Sequence, residues 1–410
     1  PAMDEEMITS EPAIKVAILQ QTTEVRIVVE GRYTLADGRS VGGTLAVRAE
    51  ADAVVLENPS ENFFARAAEL TLTPADPGNA FFTLHNVRIG IRFHWERIQT
   101  QSFRGGLVLT TDKNGAFSVC NLIGLEDYLA SVISSEMSAE APLEFLKAQA
   151  VTARSWLVAM LDKKKSPRAA QTNSADEIRV WQDINDHHGF DVCADDHCQR
   201  YQGITKIISE NVAAAMNATQ GMFLVSGGQI CDARYYKCCG GRTETFASAW
   251  EDADYPYLQS IADHGEPSAP VLSEEDAALW LGSAPAAYCN TADQDVLRRI
   301  LPAFDLETLH FYRWRAAYDQ EELRNILLKK SGIDFGEIRH LIPLQRGPSG
   351  RISRLKIVGT RKTVIVGKEL EIRRWLSDSH LLSSAFVVAA EHDASGAVRR
   401  FIFRGGGWGH

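Results

Sequence analysis

Glu136 is the residue most out of place in this sequence. Leu125, Tyr128, Leu129, Val132 and Ile133 recur at i, i+3, i+4, i+7 and i+8, the apolar stripe of one helix face. Position 136 continues that stripe and holds a glutamate. Facing the core side, it is expected to lose solvation, which favours the neutral acid. The dipole at a helix C-terminus acts in the same direction. A carboxyl that holds its proton until substrate arrives is what general-acid chemistry needs. The plainer alternative ends the stripe at the surface, where most helical glutamates meet solvent.

Four other groups of residues have chemistry in them. Lys147 and Arg154 lie seven positions apart, so they share a helix face about 10 Å apart at 1.5 Å per residue. Two cations there would hold an anionic substrate group, or simply snorkel at the surface. The stretch HHGFDVCADDHCQRYQG places His187, Cys193 and Cys198 together, with His188 and His197 as alternates, a zinc-type donor set in no common finger spacing. A Cys193–Cys198 disulfide in an exported protein, or free thiols, are the other readings. In CCGGRTETFASAW, Gly240 and Gly241 permit positive φ or close approach to a ligand, with Arg242 and Thr243 as donors beside them. Alone, a Gly-Gly pair is usually just a turn. The closing GGGWGH brings Trp408 and His410 forward on a glycine run, a poor strand end but a good way to set both against a ligand.

The elements that must position these groups read as follows. From Ile14 to about Thr110, short runs rich in β-branched and aromatic residues alternate with Gly, Pro, Asn and Asp, giving an antiparallel β region. His94 and Trp95 at its tip read as packing residues. The helical pair comes next, with Pro142 suited to the first turn of the second helix and Ser138 as a nearby cap. Residues 162–186 are polar loop. The run TKIISENVAAAMNAT is a helix, and GMFLV with QICDARYYK is a hairpin. Residues 267–342 read as helical, FGEIRHL included, and strands return to the end around a helix EIRRWLSDSHLL. The fold class is α+β: an antiparallel β-rich N-terminal region (1–110), a mixed α/β core around a central helical pair (111–264 and 346–410), and a small helical subdomain (265–345).

Composition bounds the function. At 410 residues the chain has room for two or three domains, and its 45% hydrophobic and 23% charged residues are ordinary for a globular protein. A net charge of −10 argues against nucleic acid as a partner. No apolar run reaches transmembrane length. The opening PAMDEEMITSEPAIKVAIL is acidic and lacks a signal peptide's apolar region, while the leading Pro1 suggests a processed start. Seven cysteines exclude complete intrachain pairing, and their crowding between 193 and 239 points to a local metal or disulfide feature.

Several blocks resemble the stage II sporulation protein D (SpoIID) family, lytic transglycosylases of bacterial cell walls, and relatives described as amidase enhancers. They are LEDYLASVISSEMS with KAQAVTARSW, FDVCADDHCQRYQG, CCGGRTE, DADYPYLQSIAD, GPSGRISRLKIVG and GGGWGH, in the family's order. The resemblance implies that Glu136 is the catalytic acid. It also implies that donors near Gly240, Gly241, Arg242 and Thr243, with Trp408 and His410, line a sugar groove. Lys147, Gln149, Arg154 and Tyr235 complete the candidate substrate-binding set. His187, Cys193 and Cys198 would hold zinc beside the active site, with no cofactor required for the chemistry. The implied partners are peptidoglycan glycan strands and a cell-wall amidase, and the implied location is the cell envelope or exterior. Two departures stand out: Cys238-Cys239 replace small hydroxyl residues before the Gly-Gly, opening metal or redox chemistry near the groove, and the family motif continues past GWGH to a glutamine.

The implied reaction cleaves the β-1,4 bond after N-acetylmuramic acid without water, the sugar's own C6 hydroxyl closing a 1,6-anhydro end. One carboxyl then suffices where hydrolases usually need two. A glycan-binding enhancer of an amidase would keep the groove without the acid. A zinc hydrolase is disfavoured by the thiolate-rich donors and the lack of an HExxH helix.

Overall fold

Alternation of apolar and polar residues sets the architecture of the first half. The computed structural model describes residues 10–91, 93, 95–112, 114–163, 174, 176–181, 187–264 and 268–409. In strands such as Ala53–Asn58 and Gly106–Thr111 most side chains are buried, the mark of strands covered on both faces. They belong to an 11-stranded sheet, antiparallel except where Val192–Cys193 runs parallel to Ala13–Thr22. Phe117–Gly124 pairs with both Ala13–Thr22 and Gly106–Thr111, so the sheet runs past residue 110 and directly into the helical pair.

Helix α1 spans Leu125–Glu136 and helix α2 spans Leu143–Lys163. A third helix, α3, spans Glu210–Thr219 and is capped by the Ser209 side chain on the Asn211 N–H. Leu129, Val132 and Ile133 of α1 and Leu146, Ala150 and Ala153 of α2 are fully buried and join the sheet residues in one continuous core. The expected hairpin shrinks to Val225–Ser226 against Gln229–Ile230, turning through Gly227 and Gly228, both at positive φ.

The second half has its own core. A four-stranded sheet orders Glu177–Arg179, Thr363–Gly367, Ile352–Gly359 and Ile338–Arg346, and a three-stranded sheet orders Arg313–Asp319, Val398–Gly406 and Phe386–His392. Trp314, Leu323, Phe335, Trp375, Phe386 and Phe403 pack between them. The region 265–345 is therefore not wholly helical. It holds helices at Glu274–Gly282, Gln294–Ile300 and Gln320–Ser331, but also two strands. FGEIRHL becomes strand because Gly336 takes φ +69°, which a helix cannot, and Gln320 then clamps both backbone groups of Ile338 at 2.7 and 3.0 Å. The helix in EIRRWLSDSHLL stops early, at Trp375. Among the described residues no helix is long and apolar enough to cross a membrane.

Candidate functional site

Helix α1 delivers Glu136 to the wall of a cavity. The helix ends on this residue, and Met137 turns to an extended conformation. Glu136 is half-buried and opens into a groove of about 1070 Å³. The apolar stripe thus carries its carboxylate to a concave site, away from bulk water.

The residues around it come from the loop after Val192–Cys193. Glu136 Oε1 accepts a hydrogen bond from the Arg200 backbone N–H at 2.8 Å. The Arg200 guanidinium donates to the Ser135 carbonyl at 3.3 Å and to Asp196 Oδ1 at 2.8 and 3.1 Å. It lies over Trp95 and Phe304, 4.2 and 4.6 Å from their ring centres, so aromatic faces complete the cation's surroundings. From the opposite wall Lys237 donates to the Glu136 carbonyl at 3.4 Å and pairs with buried Asp305. The Lys237 ammonium sits 6.0 Å from the centre of the Trp408 ring.

Asp196 is the group burial affects most. Loss of solvent raises it to about 7, with the Glu136 and Asp195 charges adding to the effect and Arg200 opposing it. Its second oxygen is buried without a hydrogen-bond partner among the described residues. Tyr235 lines the same groove, and burial, then the Glu136 charge, hold its phenol well above the ordinary range. It is a neutral side chain there. Asp196, Arg200 and Lys237 are not in the set drawn from sequence. Asp196 and Arg200 were legible as an i, i+4 acid–base pair inside the Cys/His block, masked by the stronger metal-ligand signal.

That block forms a compact donor cluster in the same groove. His187 Nε2 lies 3.0 Å from Cys198 Sγ, and His197 Nδ1 lies 3.5 Å from Cys198 Sγ and 3.9 Å from Cys193 Sγ. The four donor atoms all fall within 4.8 Å of one another. His188 is exposed and outside the group, so His197 is the fourth member. Cys193 and Cys198 are free thiols. Hydrogen bonds from Cys198, His187 and His197 pull the Cys193 thiol far below its ordinary value, against burial. Two imidazoles and two thiols converging this closely fit a tetrahedral zinc ion.

Other expected binding residues are committed elsewhere. Arg154 is fully buried, donates to both oxygens of Glu126 at 2.8 and 2.6 Å and to the Met222 carbonyl at 3.2 Å, and so locks α1 to α2. Lys147 pairs with exposed Glu144 at 2.7 Å on the outer face. These two do not form an anion site. Their chain separation was read correctly as a shared helix, but α1 packs over Arg154. Gln149 is buried in the helical pair and does not line the groove. Gly240 and Gly241 take φ +77° and +106°, yet what approaches them is the chain itself. A Cβ on Gly240 would meet the Gly407 N at 2.9 Å, and one on Gly241 the Trp280 ring at 2.8 Å. Arg242 donates to Ser260 at 3.1–3.2 Å and to Ser268, and Thr243 donates to the Gln259 carbonyl at 2.9 Å. The Gly-Gly segment is framework. Trp408 does line the groove, fixed by paired backbone hydrogen bonds with Cys238 at 3.0 and 2.8 Å. His410 and His94 lie outside the described residues.

Comparison with known proteins finds two family matches along the chain. Residues 113–225 match the model of the stage II sporulation protein family, and residues 244–410 match a family described as a domain of unknown function, DUF8618. The chain is similar to stage II sporulation protein D of Bacillus subtilis, 28% identical over 154 residues, and to that of Bacillus amyloliquefaciens, 27% identical over 149 residues. Each match covers 36% of this chain and 41% of the relative. An uncharacterized protein of Brachyspira hyodysenteriae is 28% identical over 156 residues, 38% of this chain and 36% of that one. The chain thus matches about two fifths of the length of these curated relatives.

Proposed function

Because residues 113–225 are a domain of the stage II sporulation protein family, we propose that this cell-wall protein cleaves peptidoglycan glycan strands as a lytic transglycosylase. The observation that supports the reading most directly is the placement of Glu136. A carboxylate at a helix end opens into a large groove between Arg200 and Lys237, with Trp408 and Tyr235 on its walls.

In this reading a glycan strand lies along the groove, its sugar faces against the Trp408 ring. Glu136 gives its proton to the glycosidic oxygen as the bond to the anomeric carbon breaks. The same carboxylate then takes the proton of the C6 hydroxyl as that oxygen bonds to the anomeric carbon, leaving a 1,6-anhydro end and a restored acid. No water is consumed. Arg200 and Lys237 hold positive charge beside the reacting carboxyl. Asp196 holds the Arg200 guanidinium in place beside Glu136.

Zinc is the metal suited to His187, Cys193, His197 and Cys198. With four protein donors a bound zinc would have no open position, and what it would supply is folding energy for the loop that carries Asp196 and Arg200.

The test is incubation of the purified chain with peptide-stripped glycan and mass spectrometry of the products. Anhydromuramyl ends that vanish in Glu136→Gln support the reading. Glycan binding with no cleavage by the wild-type chain overturns it in favour of an enhancer of a partner amidase.

A further inference from the structure

The cysteines that replace hydroxyl residues before Gly240-Gly241 meet a third cysteine and a carboxylate. Cys239 Sγ lies 3.4 Å from Cys289 Sγ, fifty residues further along the chain. One donor atom each from Cys239, Cys289 and Asp263 falls within 4.8 Å of the others. Buried Cys238 precedes Cys239 in the chain, but its sulfur is not among the donors that fall within 4.8 Å of one another. This group lies outside the His187 cluster: Cys238 packs with Phe311, Tyr312 and Trp408, whereas Cys193 packs with Val108, Cys120 and Phe190.

We propose that Cys239, Cys289 and Asp263 form a second metal centre that takes a zinc-type divalent cation.

Three features of the surroundings fit an ion here. Sulfurs bound to one tetrahedral zinc at about 2.3 Å sit roughly 3.8 Å apart, so the observed separation needs only a few tenths of an ångström of adjustment. A backbone N–H points at one of the sulfurs: Gly241 N lies 3.3 Å from Cys239 Sγ. An amide so placed stabilises a thiolate. Asp263 is aimed by the Cys289 N–H, which donates to Oδ2 at 2.9 Å.

Charge balance points the same way. Two thiolates and a carboxylate around one divalent ion carry a net charge of −1. Two arginines flank the group, fully buried Arg351 on the Cys239 carbonyl at 3.3 Å and Arg313 on the Gly240 carbonyl at 3.0 Å. A Cys239–Cys289 disulfide would need neither the carboxylate nor the cations. Binding releases the thiol protons to solvent and changes no oxidation state. The ion would join three segments far apart in sequence and, through the Cys238–Trp408 backbone pair, fix the wall of the groove.

The experiment counts zinc per chain by native mass spectrometry on protein purified under reducing conditions and loaded with zinc. His187→Ala/Cys198→Ser removes the first cluster, so this test stands apart from the transglycosylase reading. That double variant should retain one zinc ion, and adding Cys289→Ser or Asp263→Asn should abolish or weaken it at least tenfold. In the wild-type chain, where folding is not in question, zinc should protect Cys239 and Cys289 from alkylation in a peptide map, and a chelator should remove that protection. Alkylation of both residues unchanged by zinc, or a recovered Cys239–Cys289 cross-linked peptide, overturns the proposal.

Discussion

Segments 193–200 and 238–243 are made of similar residues, each with two cysteines and an arginine, but the structure uses them in opposite ways. In the first, Arg200 is held by a carboxylate, a carbonyl and two aromatic rings, and Asp196 keeps one oxygen without a hydrogen-bond partner among the described residues. In the second, Arg242 and Thr243 spend their donors on Ser260, Ser268 and Gln259, mostly on main-chain oxygens. A donor bonded to a carbonyl is satisfied at every pH. A buried carboxylate such as Asp196, raised to about 7 by loss of solvent, stays part of a titrating system. Residue type marks a site only where the fold places it on a cavity wall, as it does Arg200 and not Arg242.

The largest effect belongs to Glu136. Replacing it with Gln is expected to cut anhydro-product formation by ~10²–10⁴-fold while the thermal midpoint stays put; near-wild-type turnover would erase the distinction between the two segments. Next is Arg154→Met, which strands Glu126 by removing its buried partner. A loss of about 3–5 kcal/mol in urea unfolding is expected, with turnover per folded molecule unchanged. A drop in glycan affinity at equal folding would return Arg154 to the binding set.

Asp196 gives a pH signature. Its folded-state value is raised to about 7, above the 3.8 of an ordinary aspartate, so the folded chain binds more protons than the unfolded one between those values. Stability from this group is fully present below the ordinary value and declines as pH rises through about 7. Asp196→Asn should flatten the decline in urea midpoint over that window and shift the pH profile of cleavage; an unchanged slope and profile would remove Asp196 from its role. Thr243→Val is expected to cost about 1 kcal/mol, the worth of a hydrogen bond, with cleavage unaffected. Smallest of all is Lys147→Ala, within ~0.5 kcal/mol of wild type, as for most surface changes. Weakened glycan binding by either variant would show that framework and groove are not separate.

How far the sequence could be read depended on the range of the forces involved. Helical periodicity is local, so the α1 stripe and its terminal Glu136 were visible in twelve residues. The clustering of His187, Cys193 and Cys198 was visible for the same reason, as twelve residues of chain can bring these donors together; that His197 and not His188 joins them was not. The strand Ile338–Arg346 was not, because its identity rests on pairing with Ile352–Gly359 across a turn and on Gln320. Nor was the commitment of Arg154 to Glu126, which needs α1 laid over α2.

By itself, then, the sequence determined the α+β class, the stripe that ends in a carboxylate and the metal-type block, since each is written in spacings shorter than a helix. Only the tertiary structure decided which polar groups face the groove. Desolvation and partner choice are properties of a place in the packed chain, where Asp196 and Glu136 compete for Arg200 and where Cys239 meets Cys289, and no run of neighbouring residues encodes that place.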